Sequence, residues 1–75
     1  MKVWAGLRHT VIQRKWQLVE IDYAQIRRLR SITEYLEWFD KCESKGRYAV
    51  YSVPEGNEYY FEDPLAATEF VLKWA

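Results

Sequence analysis

Residues 47–53 and 57–62 are two runs rich in β-branched and aromatic residues, separated by a Pro-Glu-Gly segment at 54–56. Proline presets the backbone of the first turn position, and glycine accepts the left-handed conformation. The pattern therefore predicts a β-hairpin with a three-residue loop and a bulge, in which Val53 lies opposite Asn57.

The predicted register leaves both faces of this hairpin partly apolar. Tyr51 lies opposite Tyr59 on one face, and Val50 lies opposite Tyr60 on the other. One face has to cover the core, so the face that carries Tyr48, Val50 and Tyr60 lies either beneath another element or on the surface.

Residues 7–18 alternate between apolar and polar positions when a turn is placed at Gln13-Arg14, and this alternation predicts an N-terminal hairpin. The face expected to be buried contains Leu7, His9, Val11, Trp16 and Leu18. The opposite face is basic and contains Arg8, Thr10, Lys15 and Gln17.

A first helix is predicted over residues 31–45. Ser31 and Glu34 form the S-x-x-E pattern of a capping box, and Gly46 supplies a stop. Apolar residues recur at helical spacing on one arc, with Trp38 at its edge: Ile32, Tyr35, Leu36, Phe39 and Cys42. The preceding segment, 22–30, is open between helix and strand. Its apolar spacing favours a helix, the cap at Ser31 favours a break, and we expect an extended segment.

A second helix is predicted to begin after Asp63 as N-cap, with Pro64 at the first helical position. One stripe of this helix is expected to face the core and contains Ala67, Phe70, Val71 and Trp74. Leu65 and Leu72 lie on roughly the opposite side. This second stripe has to contact the first helix, another subunit or a target, and packing against the first helix is the preferred interpretation.

Together these elements predict a single α+β domain over residues 1–75. The expected sheet is antiparallel with four strands, or five if 22–30 is a strand, and two helices pack on one face in the order ββ(β)αββα. The expected core is Leu7, Val11, Trp16, Leu18, Ile32, Leu36, Phe39, Ala49, Tyr51, Phe61, Phe70, Val71 and Trp74.

Composition adds a surplus of rings and an uneven charge. Four Trp and six Tyr among 75 residues either fill a small core with large side chains or serve as interface anchors. The net charge is zero, but residues 1–33 carry seven basic and two acidic side chains, and residues 34–75 carry four and nine. Such asymmetry is typical of pairing between elements, and it also suits a nucleic acid or a partner of mixed charge.

Motifs for catalysis, metals and cofactors are missing from the sequence. One His and one Cys fall short of a structural zinc site, no nucleophile motif is present, and the three glycines form no phosphate-binding loop. We therefore expect a non-enzymatic protein without metal or cofactor. Charged residues interrupt the N-terminal segment, so we expect no signal peptide or spanning helix, a cytoplasmic location and a reduced Cys42.

The stretch YYFEDPLAATEFVLKW resembles the closing segment of small phage-encoded proteins that block or redirect host machinery. The stretch SITEYLEWF is similar in style to segments of small anti-CRISPR proteins. The resemblance covers about 30 of the 75 residues and carries over no functional residue. It implies a compact inhibitor that occupies a host protein without catalysis.

The sequence thus favours a non-enzymatic module that binds a larger protein as an inhibitor or regulator. Interface hot spots are enriched in Trp, Tyr and Arg. The candidate contact residues are Arg27, Arg28, Arg30, Trp38, Tyr48, Tyr60, Leu65 and Leu72. A homodimer through the C-terminal helix would cover the last two. The alternative function is nucleic-acid binding by the basic N-terminal half and exposed sheet aromatics, against which the neutral net charge stands.

Overall fold

The computed structural model describes residues 1–27, 32–41 and 46–74. Within these residues the chain forms four strands and four helices. They are β1 (Lys2–Val3), α1 (Arg8–Gln13), β2 (Gln17–Asp22), α2 (Tyr23–Arg27), α3 (Ile32–Lys41), β3 (Arg47–Val53), β4 (Gly56–Phe61) and α4 (Pro64–Trp74). The α+β class is confirmed.

The four strands form one mixed sheet in the order β1-β3-β4-β2. β4 pairs antiparallel with both β3 and β2, whereas the two-residue β1 pairs parallel with β3. The number of strands agrees with the prediction, but the antiparallel character and the element order do not. In the described residues the order is βαβααββα, and β2 is an edge strand.

The hairpin of β3 and β4 is present, but its register differs by one residue from the predicted one. Val53 pairs with Gly56, so the loop contains two residues and not three. The cause is the neighbouring strand, because Gly56 also pairs with Asp22 of β2 and is thereby drawn into β4. A Cβ atom at Gly56 would collide with the carbonyl oxygen of Ile21 and lie 2.7 Å from the Asp22 Cα, so glycine is required there.

The predicted N-terminal hairpin is wrong, because residues 8–13 form helix α1. This helix ends in a Schellman motif, in which the Trp16 N–H donates to the Val11 carbonyl and the Lys15 N–H donates to the Ile12 carbonyl. Lys15 takes the left-handed position with φ of 59°. The sequence signal was hidden because a lysine stands where glycine is usual.

The segment that starts at Tyr23 is helix α2, so the expected extended structure is wrong for residues 23–27. Asp22 and Gln25 form a capping box. The Gln25 N–H donates to Asp22 Oδ1 at 2.8 Å, and the Asp22 N–H donates to Gln25 Oε1 at 3.2 Å. These reciprocal bonds satisfy two backbone donors and end β2 abruptly.

Helix α4 begins as predicted. Pro64 is its first residue, and Asp63 Oδ1 accepts a hydrogen bond from the Leu65 N–H at 3.0 Å. For α3 the structure describes 32–41, so Ser31 of the predicted capping box and residues 42–45, including Cys42, lie outside the described residues.

Apolar side chains pack on both faces of the sheet. The larger cluster lies between the sheet and helices α3 and α4, and it contains Val19, Ile21, Phe39, Tyr59, Phe61, Ala66, Ala67 and Phe70. The smaller cluster contains Val11 of α1 together with Trp16, Ala49 and Tyr60. The prediction that the helices lie on one face thus fits α3 and α4, whereas α1 covers part of the other face.

Several predicted core residues are elsewhere. Leu7 is exposed, as is His9 from the hairpin face expected to be buried, because α1 replaces the predicted strand. Val71 is exposed because it lies beside the sheet edge. Leu18 and Tyr51 are half-buried beside the smaller cluster. The predicted core side chains Ile32, Leu36 and Trp74 lie outside the described side chains.

Candidate binding surface

The outer face of α4 carries large apolar side chains in water. Leu65 is 71% exposed, Leu72 is 83% exposed and Val71 is 43% exposed. Leu65 and Leu72 are two helical turns apart, so both point to the same side at a separation of about 10 Å. The preferred expectation, that this stripe packs against the first helix, is wrong for the described residues.

The opposite face fixes α4 to the sheet. Phe70 is fully buried, and its ring lies 4.8 Å from that of Tyr59 and 5.2 Å from that of Phe61 between centroids. At the start of the helix, Arg47 Nη2 donates to Glu62 Oε2 at 3.0 Å. This hydrogen bond is the largest cause that lowers the pKa of Glu62. The helix is therefore held in one orientation, and its leucines remain outside.

A groove runs between α4 and the edge strand β2, with a volume of about 430 Å³. Its lining is mostly apolar and consists of Gln17, Leu18, Val19, Pro64, Ala67, Thr68, Val71 and Leu72. Leu72 thus belongs both to the exposed stripe and to the groove wall. We call the exposed leucines and this groove together the α4–β2 surface.

The edge of β2 forms the floor of the α4–β2 surface. In the described part of the chain, β2 pairs with β4 on one side, and no further strand pairs with its other side. Its side chains alternate, with Val19 and Ile21 buried under α4 and Glu20 exposed on the opposite face. An unpaired strand edge presents backbone N–H and C=O groups that can pair with another extended chain.

An ion pair between the half-exposed Arg8 and the buried Glu58 lies on the face of the sheet away from α4. Arg8 donates from Nε to Glu58 Oε1 at 2.6 Å and from Nη2 to Oε2 at 3.0 Å, and the Tyr60 hydroxyl donates to Oε1 at 3.1 Å. The Arg8 hydrogen bond is the main cause that lowers the pKa of Glu58. Burial, followed by the hydrogen bond with Glu58, raises the pKa of Tyr60.

The two hydrogen bonds from Arg8 and the lowered pKa of Glu58 describe an ion pair that stabilises the fold. The ion pair fastens α1 to the centre of the sheet, because Arg8 is the first residue of α1 and Glu58 lies in β4.

A second depression, of about 540 Å³, lies beside this ion pair at the hairpin end of the sheet. Its lining contains four carboxylates, from Glu20, Asp22, Glu55 and Glu58, against the single guanidinium of Arg8. Glu20 pairs directly with Glu58 across β2 and β4. The face of β2 that points away from α4 is therefore negatively charged.

The predicted contact residues fall into four groups. Leu65 and Leu72 lie on the α4–β2 surface. Trp38 and Tyr48 are half-buried against the larger cluster, and the Tyr48 ring stacks on Phe39 at 4.1 Å between centroids.

Tyr60, a predicted contact residue, is buried in this fold. Its side chain is only 3% exposed, because it lies beneath α1 in the smaller cluster. Arg27 belongs to α2, but its side chain is outside the described ones, and Arg28 and Arg30 lie outside the described residues.

Sequence reasoning missed the edge of β2. The stretch QLVEID at 17–22 has the signal of a half-buried strand, because β-branched Val19 and Ile21 alternate with polar Glu20 and Asp22. The false hairpin at 7–18 concealed this signal, since it assigned residues 16–18 to another strand.

No helix in the described residues is both long and apolar enough to cross a membrane. Among the side chains of the same residues, no group of three or more His, Cys, Asp or Glu is placed to hold a metal ion. No family model matches the chain, and the searches of curated proteins and of solved structures found no match either.

Proposed function

We propose that this chain is a non-enzymatic protein-binding module that acts as an inhibitor or regulator by occupying a surface of a larger protein. The observation that carries the proposal is the exposure of Leu65 and Leu72 on a helix whose other face is fixed in the core. Leu65 and Leu72 share one side of α4, with the exposed Thr68 and Glu69 between them, and exposed apolar side chains that adjoin a groove support an interaction site. The groove beside Leu72 adds the concave shape that an anchoring side chain needs.

The nucleic-acid alternative receives less support. It relies on exposed sheet aromatics as stacking platforms, but Tyr60 is buried and the ring of Tyr48 is covered on one side by Phe39. Arg8, a cation of the basic half, is engaged with Glu58. Pairing between the two halves thus accounts for part of the charge asymmetry. Arg47 also pairs with Glu62, within the acidic half.

The test is capture from a bacterial lysate with the tagged chain, with nuclease treatment and a high-salt wash, followed by mass spectrometry and a binding titration with the purified captured protein. Leu72→Glu should weaken that binding by at least about tenfold, because full burial of a leucine side chain contributes ~1.5–3 kcal/mol. The matched control is Ile12→Glu, the same change at an exposed position on α1.

Three results would contradict the proposal. Loss of binding with Ile12→Glu and not with Leu72→Glu would assign the contact to the α1 side of the sheet. Recovery of nucleic acid alone, abolished by nuclease, would favour the alternative function. A dimer in light scattering that Leu72→Glu converts to a monomer would mean that a second copy covers the leucines.

A further inference from the structure

The groove between α4 and β2 adjoins the first half of the β2 edge. β2 contains six residues and is about 20 Å long. The groove lies beside its first half and is lined from the strand by Gln17, Leu18 and Val19. An extended segment placed there would pair its backbone with β2 and direct alternate side chains towards α4.

The two faces of such a segment would meet different environments. Side chains on the α4 side would meet Val71, Leu72 and Ala67, which are apolar. Side chains on the other side would lie next to Glu20, an exposed carboxylate on the face that also carries the four-carboxylate depression. Opposite charges on neighbouring strands stabilise pairing, and like charges oppose it.

A second copy of the chain fits the Val19–Ile21 part of this edge poorly. Antiparallel pairing of β2 with itself around a twofold axis requires that identical faces meet. An axis at Glu20 places Glu20 opposite Glu20 of the second copy. An axis at Ile21 places Glu20 opposite Asp22 of the second copy. An axis at Val19 places the two Glu20 side chains on a diagonal. Each arrangement brings carboxylates together without a cation on the strand.

From these placements we propose that β2 is the docking edge for an extended segment of a partner protein in which apolar and basic residues alternate. The segment adds to the sheet as a fifth strand, its apolar side chains enter the α4–β2 groove, and a basic side chain lies beside Glu20. This inference rests on the proposed function and names the binding mode and the chemistry of the partner.

The probe is a synthetic peptide, Lys-Val-Lys-Val-Lys-Val-Lys, with blocked ends and a fluorescent label. Binding is measured by anisotropy, and backbone amides are followed by NMR shifts and hydrogen exchange in the intact chain. We expect slowed exchange of outward-facing amides of β2 on binding. A peptide of the same composition with lysines and valines in separate blocks should bind at least about fivefold more weakly, because alternation is lost.

Backbone pairing is tested by two N-methylated peptides. In a strand, alternate N–H groups point to opposite sides, so methylation of the valine nitrogens blocks one edge and methylation of the lysine nitrogens blocks the other. One of these peptides should lose binding and the other should retain it. Equal binding of both would overturn strand addition, even if the Leu72→Glu result above still supports protein binding.

The charge preference is tested by Glu20→Lys. This variant should bind the basic peptide about fivefold or more weakly and should prefer the version with glutamate in place of lysine. Glu37→Lys on α3 is the matched control, because it makes the same charge change away from β2. The proposal would be overturned if Glu20→Lys still preferred the lysine peptide to the glutamate peptide. It would also be overturned, in favour of a second copy, if exchange protection of β2 amides grew with protein concentration in the absence of peptide.

Discussion

Replacement of Phe70 by Ala should destabilise the protein by about 3–5 kcal/mol. The ring has no exposed surface, and besides Tyr59 and Phe61 it contacts Trp38 at 5.6 Å and Phe39 at 5.7 Å between centroids. Its removal leaves a cavity between α4 and the sheet that these four large rings cannot close without leaving their own packing. The expected loss therefore includes both the transfer free energy of the ring and the cavity.

This loss is large relative to the whole protein. A domain of 75 residues has a free energy of unfolding of roughly 4–11 kcal/mol. At this size each kcal/mol changes Tm by about 4–8 °C, so Phe70→Ala should lower Tm by at least ~12 °C. At the lower end of the stability range, the variant would be largely unfolded at room temperature.

The assay is urea unfolding followed by circular dichroism, with Leu72→Ala as the control on the same helix. Because Leu72 is mostly exposed, this control should change the free energy of unfolding by less than ~0.5 kcal/mol. If Phe70→Ala retains the parent midpoint, or if the two variants lose equal stability, the orientation of α4 described here is wrong. Leu65 and Leu72 would then not lie on the outer face of α4.

Three further predictions concern other parts of the fold. Lys15→Gly should stabilise the protein by ~0.5–1 kcal/mol in a urea titration, because glycine adopts the left-handed position at the end of α1 without strain. The control Arg14→Gly should destabilise the protein, because Arg14 has ordinary helical geometry. Gly56→Ala should destabilise it by at least ~2 kcal/mol, because the added methyl group collides with the backbone of β2, and hydrogen exchange of β2 amides should accelerate. The lowered pKa of Glu58 contributes stability above its unfolded-state pKa, and this contribution is lost as pH falls through the lower folded-state pKa. Arg8→Gln removes the main cause that lowers the pKa of Glu58, and burial, which raises this pKa, remains. The contribution of Glu58 to the fall of the urea midpoint between pH 7 and 3 should therefore be lost or reversed in this variant. An unchanged pH profile would contradict the role assigned to the Arg8–Glu58 pair.

The features that the sequence predicted correctly depend on residues close together in the chain. Asp63 and Pro64 start α4 because a carboxylate cap and a preset φ act within one turn. Pro54 and Gly56 likewise predicted a hairpin between two β-branched and aromatic runs, and the hairpin is present. The capping box of α2, Asp22 with Gln25, was also visible in the sequence and was overlooked.

The exposed stripe of the candidate site was partly predictable for the same reason. Helical periodicity separates Leu65 and Leu72 from Phe70, so the sequence indicated that α4 has two apolar sides. It did not indicate which neighbour each side meets, because that depends on elements distant in the chain. The groove beside β2 was missed entirely, since it exists only where α4 crosses the edge of the sheet.

The sequence by itself thus determined the local elements whose signals span a few residues: the hairpin, the start of α4 and the two-sided character of that helix. The tertiary structure alone decided the hairpin register, since pairing of Gly56 with Asp22 of a third strand removed one residue from the loop. It also decided that Tyr60 is buried. A register shift of one residue exchanges the faces of a strand, and Tyr60 thereby lies beneath α1. Local propensity acts through neighbouring residues, whereas burial is settled by what packs on each face.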